Sequence, residues 1–171
     1  MPTQSSTEFR ATCLCGRIEL RLTGNPIMTS VCYCDDCQAG ARQLAALPGA
    51  PLPAGDDGGT AYVLFRKDRV RCMSGDSGLK AYKLKDKSVT NRVVATCCNA
   101  PMFMNFDNAR HWVPVNRARL LGIPPPLQMR ICTKSKPDNV DLPDDIPSYS
   151  GYPPKFLVKL LMARVAMLFR K

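Results

Sequence analysis

The residues best suited to chemistry lie in "VCYCDDCQAG", residues 31–40, where Cys32, Cys34 and Cys37 occupy six consecutive positions. Three thiols this close can hold a metal, form disulfides or act in redox exchange. Two further pairs stand out, Cys13 with Cys15 and Cys97 with Cys98, while Cys72 and Cys132 sit singly in strand-like runs and read as buried or free thiols. Zinc suits such groups because it is borderline soft and accepts thiolates tetrahedrally at roughly 2.3 Å. Closed structural sites use four protein ligands, whereas catalytic sites use three and leave a position open. Cys32, Cys34 and Cys37 supply the three an open site needs, and they also suit a closed site completed by a distant fourth cysteine. Cys34 and Cys37 form a C-x-x-C pair, but no thioredoxin-like βαβ pattern surrounds them. Iron–sulfur ligation has no positive support either.

Composition narrows the alternatives. Nine cysteines is an odd number, which argues against a complete disulfide framework. The start "MPTQSSTEFRATCLCG" lacks the apolar core of a secretory signal, so a cytoplasmic location with reduced thiols is expected. No run of 18 apolar residues is present, so no membrane span is expected. The 171 residues can bury a core without disulfide staples. A formal charge of +10 favours acidic partners: nucleic acid, anionic lipid or a small anionic substrate. Residues 66–92 carry nine Lys/Arg against three Asp, and residues 155–171 carry five Lys/Arg with no acid.

These residues must be positioned by a mostly β framework. In "CGRIELRLTG" the apolar Ile18, Leu20 and Leu22 alternate with charged residues, the period of a half-buried strand ending at Gly24. Further strand candidates are "TAYVLF", "RVRCM", "LKAYKL", "SVTNRVVATC", "MFMNF", "HWVPV" and "LQMRIC", mostly separated by turn residues. "DDCQAGARQLAAL" predicts a short helix capped by Asp35 or Asp36. "PGAPLPAGDDGG", residues 48–59, is a loop. The expected division is a zinc-binding domain over 1–132, then an extended arm and a C-terminal helix over 133–171. Pro153 and Pro154 mark the start of that helix. Its apolar surface, interrupted by Lys155, Lys159, Arg164, Arg170 and Lys171, packs on the domain or on a second subunit as a homodimer contact. A basic helix lying at a membrane surface is the competing reading.

Taken together, "CLCG" (13–16), "CYCDDCQ" (32–38) and "CCNAPM" (97–102) resemble the glutathione-dependent formaldehyde-activating enzyme family, which also includes centromere protein V. The resemblance runs over about residues 8–120. It implies a mainly β, zinc-bearing β-tent domain of antiparallel sheets with up to two Zn2+ ions. Cys13 and Cys15, with Cys97 and Cys98 of the late motif, match the structural zinc site. Cys32, Cys34 and Cys37 match the catalytic one. The implied reaction is of the carbon–sulfur lyase type, joining glutathione to formaldehyde. Two departures are visible: Tyr33 replaces a frequent histidine, and Cys97 adjoins Cys98 where the family spaces its cysteines as C-x-x-C. Since neighbouring strand residues point to opposite faces, either a local kink brings both to one zinc or only one binds.

A three-thiolate zinc is a weaker Lewis acid than a three-histidine one, so the expected chemistry is thiol binding rather than water activation. A basic surface would aid capture of anionic glutathione, with Arg42, Arg92 and Lys80 as candidate contacts. His111, the single histidine, is read as a packed or surface residue beside Trp112 and Val113 rather than a proton carrier. The rival class is a non-catalytic zinc module that binds an acidic partner such as nucleic acid. No recognised basic-aromatic nucleic-acid motif supports it.

Overall fold

The computed structural model describes residues 7–169, so Arg170 and Lys171 of the expected C-terminal basic cluster lie outside the described residues. Ten strands and two α-helices follow one another along the chain. The strands are β1 (Glu8–Thr12), β2 (Glu19–Thr23), β3 (Met28–Cys32), β4 (Thr60–Arg66), β5 (Val70–Ser74), β6 (Leu79–Tyr82), β7 (Thr90–Ala95), β8 (Ala100–Phe106), β9 (Trp112–Asn116) and β10 (Arg130–Ile131). Helix α1 covers Asp35–Ala45 and α2 covers Pro154–Leu168. A three-stranded sheet runs β1-β2-β5, and a seven-stranded sheet runs β10-β3-β4-β9-β8-β7-β6. The expected mainly β class is therefore present. Pairing is antiparallel except between β10 and β3, which run parallel with Ile131 opposite Cys32.

Strand alternation builds two cores on opposite faces of β4. Val63 and Phe65 join Ile18, Leu20 and Leu22 from just before and within β2, and Met102 and Val115 of the larger sheet, in a core between the sheets. Leu64 and the partly buried Tyr62 point the other way, into a second core with Met28, Met129, Ile131, Phe156 and Leu160. Side-chain period two in one strand thus serves two compartments. The second contains Cys32, Cys37 and Cys132 with Cys34 packed against it; the first contains Cys13 with Cys72, Cys97 and Cys98 packed against it.

Helix α2 opens as the sequence predicts, with Pro153 at the N-cap and Pro154 at the first helical position. Its attachment is narrow. Phe156 and Leu160 are its buried residues, each contributing about 1.5–3 kcal/mol by leaving water. His111 Nε2 donates to the Leu160 carbonyl at 2.7 Å, which fixes the ring proton on Nε2. The histidine is buried and edge-on to Trp112 at 5.0 Å, a packing role as expected. The segment leading to α2 returns to β10: Arg130 N–H donates to Pro147 O, Tyr149 N–H to Arg130 O, and Cys132 N–H to Gly151 O. Arg130 also pairs with Asp145 at 2.7 Å.

Candidate metal centres

Cys32 ends β3, where all five residues are buried. The chain then turns into α1, with Cys34 at the N-cap and Cys37 in the first turn. The predicted capping carboxylates are displaced by one position. The Cys34 carbonyl accepts from Cys37 and Gln38, so Asp35 and Asp36 fall in the first turn, where the helix dipole favours negative charge. This strand-to-helix corner brings the Cys32, Cys34 and Cys37 sulfurs within 4.8 Å of one another. Tyr33, at the position where the resemblance often has histidine, points away. It is fully buried, and its hydroxyl donates to Asp57 in the glycine-rich loop. Gln38 Nε2 donates to the Tyr33 carbonyl at 2.6 Å, pinning the corner from behind.

Three thiols at such range cannot all ionise. Contact with Cys32, then Cys37, together with backbone N–H groups of Cys37 and Asp36, holds the Cys34 thiol down at about 2. For Cys37, contact with Cys32 acts downward, but Cys34 and burial outweigh it and push the thiol up to about 12. Cys32 is raised by contact with Cys132, then by Cys34 and Cys37. One thiolate is favoured and two protons are retained, an arrangement in which a soft divalent cation can replace the protons. All nine cysteines are free thiols, so the donors are available. The site fits zinc by donor type and number.

The other cluster is assembled from distant parts of the chain. Cys13 and Cys15 lie in the β1–β2 turn, closed by Cys13 N–H to Ile18 O and by Gly16 at φ +76°. Cys97 and Cys98 lie in the β7–β8 turn, where Asn99 adopts φ +50° and Cys98 N–H donates to Ala95 O. Strand alternation therefore does not apply to them, and the turn places both sulfurs in one group with Cys13 and Cys15. Cys15 and Cys97 approach to 3.2 Å, Cys13 and Cys15 to 3.5 Å, and Cys13 and Cys97 to 3.7 Å. All four sulfurs lie within 4.8 Å of one another, the number that a closed tetrahedral site takes. Desolvation, Cys15 and Cys13 push the Cys97 thiol up to about 12. The Arg17 N–H, then Cys97, lower that of Cys15. The Ile18 N–H donates to Cys13 Sγ at 3.3 Å.

The three-sulfur cluster opens onto a large cavity. Cys32, Cys34 and Cys37 line a pocket of about 380 Å³, within the roughly 300–1,000 Å³ typical of small-molecule sites. Its apolar walls include Phe106, Trp112, Phe156 and Leu160, and its polar lining includes Asp36, Arg92, Arg110 and Tyr152. Of the three expected anion contacts, Arg92 reaches the pocket, whereas Arg42 and Lys80 are not in its lining. Arg92 is buried, its Nη2 donates to Asp36 O at 2.5 Å, and its charge acts to lower the Cys37 thiol. Gly40 makes room for it, since a Cβ there would fall 1.9 Å from Arg92 Nε. Arg110, stacked 4.7 Å from the Phe106 ring, was not legible as a pocket residue in the sequence. Cys132, buried at φ +57°, is not in that lining but contacts Cys32 from outside the three-sulfur group. Cys72 stays apart, donating to Ser74 O.

Comparison with known proteins agrees with the motif resemblance. Residues 8–48 match the model of a family described as glutathione-dependent formaldehyde-activating enzyme. That span takes in Cys13, Cys15, Cys32, Cys34 and Cys37 and stops before Cys97 and Cys98. No curated protein gives a significant match. A Rhodobacter sphaeroides protein of known crystal structure is similar at a TM-score of 0.48 and 18% identity, over 68% of this chain and 91% of that one.

Proposed function

We propose that the protein is a zinc-dependent enzyme of the carbon–sulfur lyase type that acts on a glutathione-like thiol and a small aldehyde. The reading is carried by one observation: three convergent cysteine sulfurs line a pocket of small-molecule size. The family match over 8–48 supports the same substrate class. Cys32, Cys34 and Cys37 would hold the catalytic zinc, which when bound supplies a position where a substrate thiol is taken as thiolate. In the forward direction the sulfur forms a bond to the aldehyde carbon, the carbonyl π bond breaks, and the thiol proton ends on the new hydroxyl oxygen. No oxidation occurs. Arg92 and Arg110 supply positive charge for an anionic thiol, and Phe106 and Trp112 keep water from the reacting centre. Cys13, Cys15, Cys97 and Cys98 would hold a second, structural zinc.

The test combines metal content with adduct formation, followed by NMR with glutathione and formaldehyde. The expected wild type binds two zinc ions and accelerates the adduct. Cys34→Ser is expected to drop one zinc and at least about tenfold in rate. An unchanged rate in that variant refutes the catalytic role. The formal charge of +10 favours a second reading, a zinc module for an acidic partner. A salt-sensitive shift of duplex DNA, without thiol chemistry, would select it.

A further inference from the structure

Helix α2 has two apolar faces, and the fold covers one. Phe156 and Leu160 point inward. Leu157, Val158, Leu161, Met162, Val165 and Leu168 are exposed, Leu161 by 63%, Met162 by 66% and Leu168 by 72%. At 3.6 residues per turn these six fall within one arc of about 140°, and Leu157, at the edge of that arc, also lines the mouth of the cysteine pocket. Lys155 and Lys159 border the arc on one side and Arg164 on the other. None of these three cations forms a salt bridge among the described residues: Lys155 lies over the Tyr149 ring and Lys159 bonds Gln128 Oε1. The helix itself carries no acid. A broad apolar face of this kind, with cations along both borders, needs an occupant.

We propose that the outer face of α2 docks in the plane of an anionic lipid surface. The argument is charge complementarity. Long basic side chains bordering an apolar arc can lay their methylene stems along the lipid and raise their charges to anionic headgroups. A second copy of this chain is disfavoured as the occupant. Facing α2 helices would oppose Lys155, Lys159 and Arg164 to the same residues, on molecules that each carry +10. The docking is peripheral. No described helix is long and apolar enough to cross a membrane, and the 15 residues of α2 rise only about 22 Å against a hydrocarbon core of roughly 30 Å. This inference is independent of the metal chemistry.

Sedimentation of the full chain with vesicles tests it. The protein is expected to bind vesicles of phosphatidylcholine with phosphatidylserine, to bind phosphatidylcholine alone far more weakly, and to be released by salt. The double substitution Leu161→Asp with Met162→Asp is expected to cut partitioning about a hundredfold, with circular dichroism and metal content unchanged. Should that variant misfold, Lys155→Gln with Arg164→Gln serves instead, with an expected loss of about tenfold. The proposal is overturned by any of three results: no binding to the anionic vesicles at low salt, equal binding to both vesicle types, or full binding by the folded variants. A concentration-dependent dimer abolished by Leu161→Asp with Met162→Asp, without vesicle binding, overturns it in favour of a second copy.

Discussion

The two cysteine clusters differ in where their sulfurs come from. Cys32, Cys34 and Cys37 belong to one strand-to-helix corner and meet as soon as that corner forms. Cys13 and Cys15 meet Cys97 and Cys98 only after two turns about 84 residues apart in sequence have been brought together. The first arrangement asks little of the fold and opens onto a pocket; the second exists only in the folded state. A metal in the second therefore stabilises the tertiary structure directly, because the unfolded chain offers no preformed site. A metal in the first chiefly orders a corner that Tyr33 and Gln38 already hold. Ligand number, four against three, agrees with this division of labour.

The largest effects should come from removing this asymmetry. Cys97→Ser is expected to lower stability by well over ~3 kcal/mol, since structural zinc binding is worth on the order of 10 kcal/mol, whereas Cys34→Ser is expected to cost under about 1 kcal/mol. Thermal unfolding of both variants decides the matter, and equal losses would break the comparison. A smaller perturbation addresses the open cluster alone. Gly40→Ala forces a methyl against Arg92 Nε and should cost about 1–3 kcal/mol by overpacking. It should also weaken metal binding at the three-sulfur site while leaving the four-sulfur site filled, as metal titration would show.

The smallest effect concerns the segment flanking the open cluster. Arg130 holds the Asp145 carboxyl below its ordinary value. The ion pair therefore helps above the unfolded pKa, roughly 3.9, and that help fades as pH falls through the lower folded value. The protection factors of the Arg130 and Tyr149 amides, with the intrinsic pH dependence of exchange divided out, are expected to fall at acid pH, and Asp145→Asn to abolish that change.

Much of the framework was legible because it rests on local periodicity. Alternation in "GRIELRLTG" located β2, the strand-like run "TAYVLF" located β4, and Pro153–Pro154 located the start of α2. β3 escaped because Met28–Cys32 is buried throughout and shows no alternation. The cysteines themselves announced both clusters. What the sequence could not show was the position of Cys97 and Cys98 in a turn, a matter of Asn99 entering the left-handed region. Nor could it show the pocket walls, since Arg110, Trp112, Tyr152 and Phe156 come from segments joined only by folding.

Helix α2 stands between two sites. Its inner residues Phe156 and Leu160 line the pocket, and its backbone is tied to His111, while its outer face meets solvent. A ligand in the pocket and a surface against the outer face therefore share one wall. If either prefers one setting of that wall, thermodynamic linkage obliges the other to feel it by the same factor. Such a preference would make the cleft beside the cysteines and the far side of the helix energetically reciprocal, through the helix's buried side chains and its bond to His111.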